Sequence, residues 1–243
     1  CPLVFKGGTA LMLILGKSAH RLSIDIDLIC PPGTNIEDYL KSFADFGFIN
    51  LELVERKQRD DADIPKSHSK FFYQIAYRND TDAQSYILLD VLYEDIHYFR
   101  TQQIAINCPF IRLEGKPLMV TVPSAEDILG DKLTAFAPNT TGIPYYKNGR
   151  SCSMEIAKQL YDVGRLFENV SDLQITKEAF RKIAVVELSY RSFGTDIGQV
   201  FNDIRQTALC ISTRGKAGEG DFDLIQDGII RVKSFMYLSL IHI

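Results

Sequence analysis

Three aspartates and one glycine-rich turn carry the residue types from which chemistry could be built. Asp25 and Asp27 stand two apart in Ser23-Ile24-Asp25-Ile26-Asp27-Leu28-Ile29, a run that alternates polar and apolar positions. On a strand, residues i and i+2 share a face, so Ser23, Asp25 and Asp27 lie on one side and Ile24, Ile26 and Leu28 on the other. Paired carboxylates suit a hard divalent cation such as Mg²⁺ or Mn²⁺, with phosphate oxygens completing its shell. A solvated acidic strand face is the alternative, weakened by how fully polar this face is beside a glycine turn. Asp90 lies inside Ile87-Leu88-Leu89-Asp90-Val91-Leu92, where a carboxylate is costly to bury unless paired or cation-bound. A third carboxylate on a neighbouring strand is what two-metal nucleotidyl transfer uses, with metals about 3.5–4 Å apart on the attacking and leaving oxygens. It is also placed to accept the proton of the attacking hydroxyl. A position on an edge strand facing water is the other reading of Asp90.

Just upstream, Lys6-Gly7-Gly8-Thr9 separates a short strand, Val4-Phe5, from a helix running from Thr9 to Leu15. Glycines let a phosphate approach the backbone without a Cβ in the way, and N–H groups at a helix start attract anions. Thr9 can cap the helix or bond a phosphate oxygen. By itself, a glycine pair before a helix is more often only a tight turn.

The elements that must position these groups divide at about Pro123. Before it, strands are expected at Leu51 to Glu55, Phe71 to Tyr77, Tyr86 to Tyr93, Phe110 to Leu113 and Leu118 to Val122. The polar stretch Arg56 to Lys70, with Pro65, reads as a hairpin tip or loop. After it, Ser124-Ala125-Glu126-Asp127 is an N-cap with an acidic first turn, opening a helix to about Ala137 that Pro138 ends. Asn139 to Arg150 reads as a loop. Helices follow at Met154 to Phe167, Lys177 to Tyr190, Asp196 to Leu209 and Phe222 to Met236. The expected class is α+β, with a mixed-sheet N-terminal half (1–122) and a helical C-terminal half (123–237). Residues 238–243, Leu-Ser-Leu-Ile-His-Ile, read as a tail translated from a sequencing adapter.

Composition sets outer bounds. The formal charge of −4 argues against a surface coated for nucleic acid but permits a local basic groove. Five cysteines, an odd number with no C-x-x-C pair, argue against a disulfide framework or zinc site and for reduced thiols in a cytoplasmic setting. No apolar run is long enough to span a membrane. His20, His68 and His97 have no metal-ligand spacing and read as solvated or locally hydrogen-bonded. Phe71, Phe72, Tyr73 and Tyr77 read as core, and Tyr145-Tyr146-Lys147 as the better candidate for base stacking.

The joined strings Phe5-Lys6-Gly7-Gly8-Thr9-Ala10-Leu11 and His20-Arg21-Leu22-Ser23-Ile24-Asp25-Ile26-Asp27-Leu28 resemble the AbiEii/AbiGii toxin family of nucleotidyltransferases, within the polymerase β-like superfamily. The family pattern is K-G-G-T-A-L, a short helix, then R-x-S-x-D-x-D-L, and every position is matched. Gly130-Asp131-Lys132-Leu133-Thr134-Ala135 is similar to the family's lysine motif, and Lys158-Gln159-Leu160-Tyr161-Asp162-Val163 to K-D-x-Y-D-L. Gln159 replaces an acidic residue, leaving Asp162 as that motif's carboxylate.

The resemblance implies an NTP substrate and metal on Asp25, Asp27 and Asp90. Lys6, Gly7, Gly8, Thr9, Arg21 and Ser23 would surround the nucleotide, and Lys132 the triphosphate. Asp162 would hold Lys132 or substrate. It also implies the toxin of a type IV toxin–antitoxin or phage-defence pair, with a separate antitoxin protein and an RNA acceptor such as the tRNA 3′ end. Lys132, Lys147, Arg150, Lys158 and Arg165 could form a basic rim for that RNA. Two alternatives stay open: transfer to a small molecule such as an aminoglycoside, and a catalytically inactive binding module.

Overall fold

The computed structural model describes residues 3–21, 23, 25–54, 66–74, 84–107, 114–190, 194, 196–233 and 236. Seven strands form one mixed sheet in the order β3-β4-β5-β2-β1-β7-β6. These are β1 (Val4–Lys6), β2 (Asp25–Cys30), β3 (Asn50–Val54), β4 (Lys66–Gln74), β5 (Gln84–Tyr93), β6 (Thr101–Ala105) and β7 (Met119–Pro123). β2 runs antiparallel to β1 and parallel to β5. β4 is antiparallel to both β3 and β5. Helices α1 (Gly7–Leu15) and α2 (Glu37–Leu40) belong to this part; α3 (Ala125–Ala135), α4 (Ser153–Phe167), α5 (Leu173–Ser189), α6 (Ile197–Ser212) and α7 (Phe222–Val232) follow it. The fold is α+β with a helical C-terminal part.

Alternation on the central strands sets two apolar surfaces. On one face Leu28, Cys30, Leu89 and Val91 pack with Phe71, Ile36, Leu40 and Phe48. On the other, Val4, Ile29 and Leu92 pack with Tyr98 and with Ile183 of α5. α1 is apolar nearly all round because it is buried nearly all round. Its Ala10 and Leu11 meet Ile128 and Leu129 of α3, Leu166 of α4 and Val122 of β7. That shared core joins the Gly7-Gly8 helix directly to the helical part.

The capping chemistry is local and explicit. The Ser124 hydroxyl accepts from Asp127 N–H at the start of α3. The fully buried Asp127 carboxylate in turn accepts from the backbone N–H groups of Phe99 and Arg100, at 2.7 and 3.0 Å. α3 is thereby fixed beside the entry to β6.

Several elements depart from the sequence-based expectation. β4 begins at Lys66, inside the stretch expected to be loop as far as Lys70, because it pairs residue for residue with β5 from Lys66↔Leu92 to Gln74↔Gln84. Its first five residues are polar on both faces of the strand and carry no hydrophobic signal. β6, Thr-Gln-Gln-Ile-Ala, is a polar edge strand that was not anticipated. The Asn139 to Arg150 loop contains a small hairpin, β8 (Tyr146–Lys147) and β9 (Arg150–Ser151). Its turn is Asn148-Gly149, both at positive φ (52° and 74°), the two-residue turn that matches strand twist. α5 starts at Leu173 rather than Lys177, capped by the Asp172 carboxylate. The expected strand Phe110 to Leu113, residues 56–65 of the expected Arg56 to Lys70 loop, Tyr77 and the 238–243 tail lie outside the described residues. No described helix is long and apolar enough to cross a membrane.

Candidate active site

The site is assembled by strand register. β2 pairs with β5 so that Asp27 stands directly opposite Asp90, and registered residues of adjacent strands share a face. On the other side Lys6 of β1 stands opposite Asp27. Asp25, two residues before Asp27, occupies the same face nearer solvent and is exposed. The face thus grades from an apolar base at Val4, Ile29 and Leu92, through a charged row of Lys6, Asp27 and Asp90, to the exposed Asp25.

The turn between β1 and α1 brings backbone against this row. Gly7 has φ +61°, and a Cβ there would lie 2.1 Å from Asp27 Oδ2. Only glycine therefore fits, on grounds of both conformation and space. At Gly8 a Cβ would lie 2.7 Å from Ser23 Oγ and 2.9 Å from an Arg21 terminal nitrogen. α1 begins without a side-chain cap. Thr9, read from sequence as a cap or phosphate ligand, instead donates its hydroxyl to the Asp25 carbonyl at 2.7 Å. Ser23 Oγ donates to the same carbonyl at 3.1 Å. Both hydroxyls hold the first residue of β2 in place.

Behind the turn lies a buried ion cluster. Asp162 of α4 is fully buried and accepts from Arg21 Nε and Nη2, each at 2.7 Å. Lys132 Nζ of α3 reaches the same carboxylate at 2.9 Å. Arg21 and Lys132 are each only 7% exposed. α4 also donates from Tyr161 to the Ala19 carbonyl and from Arg165 to the Ser18 carbonyl. The whole segment from Ser18 to Arg21, which leads into β2, is therefore clamped by one helix.

Charge around Asp27 is finely opposed. Burial pushes its carboxyl above the usual carboxylate range; Lys6 and Lys132 pull it down, and Asp90 and Asp25 push it up. Burial would lower the Lys6 ammonium, but Asp131, Glu187, Glu94 and Asp27 together raise it. Lys66 is lowered by desolvation and by Lys6 beside it. Asp162 is held below its ordinary value despite burial, because Lys132 and Arg21 stabilise its charge.

This donor set fits a hard divalent ion. The acidic groups around Asp27 repel one another, and bound positive charge relieves that repulsion. Carboxylate oxygens are the ligands Mg²⁺ and Mn²⁺ prefer. As the side chains stand, no group of three or more His, Cys, Asp or Glu among the described residues is arranged to hold a metal. Asp90 is instead engaged by His68 of β4, whose Nδ1 lies 2.7 Å from Oδ1. The ring is registered opposite Asp90.

The model of the family described as "Nucleotidyl transferase AbiEii toxin, Type IV TA system" matches residues 1–228. The chain belongs to the AbiEii family. No functionally curated protein is similar enough in sequence to match it. Among solved structures it is similar to MenT4, a nucleotidyltransferase toxin from Mycobacterium tuberculosis H37Rv, at 15% identity and a TM-score of 0.51. That match covers 81% of this chain and 62% of MenT4, so the chain spans under two thirds of that relative's length; the likeness shows the fold. JHP933 from Helicobacter pylori matches at 16% identity over 96% of this chain and 88% of its own, with a TM-score of 0.38.

Within this AbiEii-family chain, several sequence-based placements change. Arg21, expected against the nucleotide, has its guanidinium on Asp162. Of the expected basic rim, Lys132 is in the buried cluster and Arg165 is spent on the Ser18 carbonyl and on Glu168. Tyr145 packs with Phe136, Ile156 and Ile225 rather than presenting a ring to solvent. Tyr146, Lys147 and Arg150 are exposed on the β8–β9 hairpin. His68 is the neighbour of Asp90 that spacing arguments passed over. It lies in the uniformly polar run Lys66-Ser67-His68-Ser69-Lys70, legible as a strand only once its pairing with β5 is known.

Proposed function

We propose that this protein transfers a nucleotidyl group from an NTP to the 3′ hydroxyl of an RNA such as tRNA, as the toxin of a type IV toxin–antitoxin pair whose antitoxin is a separate protein. The observation that carries this reading is the register of Asp27 against Asp90, with Asp25 one pleat away and the Gly7-Gly8 helix start alongside. Asp25 and Asp27 would hold a divalent ion with triphosphate oxygens, and Asp90 would join them. When bound, the ion supplies charge neutralisation and polarisation at the phosphoryl centre. The N–H groups at the start of α1 receive phosphate oxygens, and Lys132 and Lys6 balance the remaining charge. The acceptor oxygen forms its bond to the α-phosphorus as the bond to pyrophosphate breaks, and Asp90 takes the hydroxyl proton. His68 orients that carboxylate. Reduced thiols and the toxin role fit action in the cytoplasm.

Incubating the purified protein with labelled NTPs, Mg²⁺ and total tRNA is the direct assay. Label on RNA 3′ ends is expected. Label on an aminoglycoside or a protein, with none on RNA, would overturn the acceptor and leave nucleotidyl transfer standing.

A further inference from the structure

The face that carries Asp90 continues outward over β4 and β5, past the catalytic row. Strand alternation places Lys66, His68, Lys70 and Phe72 of β4 on this face, registered opposite Leu92, Asp90, Leu88 and Tyr86 of β5. Phe72 and Tyr86, directly cross-strand, have tilted rings 5.8 Å apart between centroids. Lys70 Nζ lies 4.9 Å over the Tyr86 ring. Tyr86 is 49% exposed although it sits in a strand interior. Four residues of strand separate it from Asp90, about 13 Å at ~3.3 Å per residue. By contrast, two cations of the basic rim expected on the helical part are tied up in the Asp162 cluster and on the Ser18 carbonyl.

We propose that this face of β4 and β5 is a track for the single-stranded 3′ end of the RNA acceptor, with Tyr86 and Phe72 stacking bases and Lys70 holding a phosphate. The proposal rests on the reading that RNA is the acceptor. An exposed tyrosine beside a half-buried phenylalanine and a lysine is suited to unpaired bases: every base offers a π-face and every linkage a negative charge. Duplex RNA hides its bases, and a protein segment would have no use for cations alternating with stacked rings. The chain is acidic overall, so a basic and aromatic row leading to the catalytic carboxylates is a local inversion of its charge. Glu52 of β3 is registered opposite Lys70 and carries the opposite charge.

Fluorescence anisotropy with a labelled single-stranded oligoribonucleotide and the full chain tests this. Tyr86→Ala is expected to weaken binding about fivefold or more. Tyr86→Leu, which keeps the bulk, should also weaken it while Mg²⁺-ATP still raises the melting temperature. Lys70→Ala should lower the slope of log affinity against log salt by about 0.7. Wild-type affinity and salt slope in these variants would overturn the track, as would tighter binding of a duplex of the same sequence. Equal RNA labelling by wild type and both Tyr86 variants sinks the track while sparing the RNA acceptor. Track-dependent binding without any nucleotide transfer to RNA leaves the surface standing and defeats the acceptor reading.

Discussion

The Asp162 carboxylate grips the Arg21 guanidinium with two hydrogen bonds of 2.7 Å across 141 residues of sequence. Lys132 shares the same carboxylate at 2.9 Å. In this structure Asp162 acts as a support. Asp162 holds in place the segment that enters β2 and the lysine that faces Asp27, and it does so from outside the charged row.

Replacing Asp162 with Asn should leave two buried cations underpaired. Breaking one partner of a buried ion pair costs about 3–5 kcal/mol, a fall of roughly 10 °C in melting temperature for a chain of this size. Because the Asp162 carboxyl is depressed in the fold, its contribution is present above the ordinary carboxylate range and is lost as pH falls through the lowered value. The wild type should therefore lose this stability only in strong acid, and the variant should lack that acid-dependent part. Thermal melts from pH 3 to 7 decide it; a variant as stable as wild type at pH 7 means the cluster contributes nothing net.

Asp27→Asn should do the opposite in the metal-free protein. Burial, and after it the repulsion of Asp90 and Asp25, outweighs Lys6 and Lys132 and raises the Asp27 carboxyl. The folded state therefore favours the protonated form, and stability falls as pH rises from the ordinary carboxylate value through the raised one. Near neutral pH the variant should melt higher than wild type, with the gain shrinking toward pH 4. It should also lose the stabilisation that Mg²⁺ and NTP give to wild type. A lower melting temperature at neutral pH would make Asp27 a structural residue.

Gly7→Ala places a methyl 2.1 Å from Asp27 Oδ2 at φ +61°. The fold must push the carboxylate away or distort the turn, at a cost on the order of 1–3 kcal/mol. Calorimetric titration with Mg²⁺-NTP should show binding weakened at least tenfold. Undiminished binding would mean that the approach of Gly7 to Asp27 has no part in nucleotide recognition.

His68→Ala removes the imidazole that contacts the Asp90 carboxylate. Loss of a group that orients a metal-binding carboxylate lowers metal affinity or activity about 10–100-fold. Mn²⁺ binding followed by electron paramagnetic resonance reads the first directly, and His68→Asn, which can still donate a hydrogen bond, should recover part of it. Unchanged Mn²⁺ affinity in His68→Ala would show that Asp90 needs no such support.

The acidic face was legible because it is encoded locally. Two residues of spacing put Asp25 and Asp27 on one face, and the apolar context of Asp90 marked it as unusual. What spacing cannot encode is register between strands. His68 lies in a polar run that looks like a loop until β5 supplies its hydrogen-bond partners. The partners of Arg21 and Arg165 in this structure, Asp162 and the Ser18 carbonyl, could not be read from spacing because only tertiary packing brings them close. Tyr145 was read as exposed for the same reason: its burial depends on α4 and α7. The Asn148-Gly149 turn lay within a stretch read only as a loop, since the two-residue strands it joins are too short to show a pattern.

The clamp on Arg21 also sets an order in time. A ribosome completes Gly7, Arg21, Asp27 and Asp90 well before it reaches Lys132 and Asp162, and domains begin to fold as they emerge. During that interval the Ser18–Arg21 segment has none of the α4 donors that fix it, and Arg21 has no buried carboxylate. A nascent chain is thus expected to bind no nucleotide until α4 has cleared the exit tunnel. Crosslinking of a photoreactive NTP to stalled chains of increasing length would show labelling begin only beyond α4, or place its onset earlier and break the link.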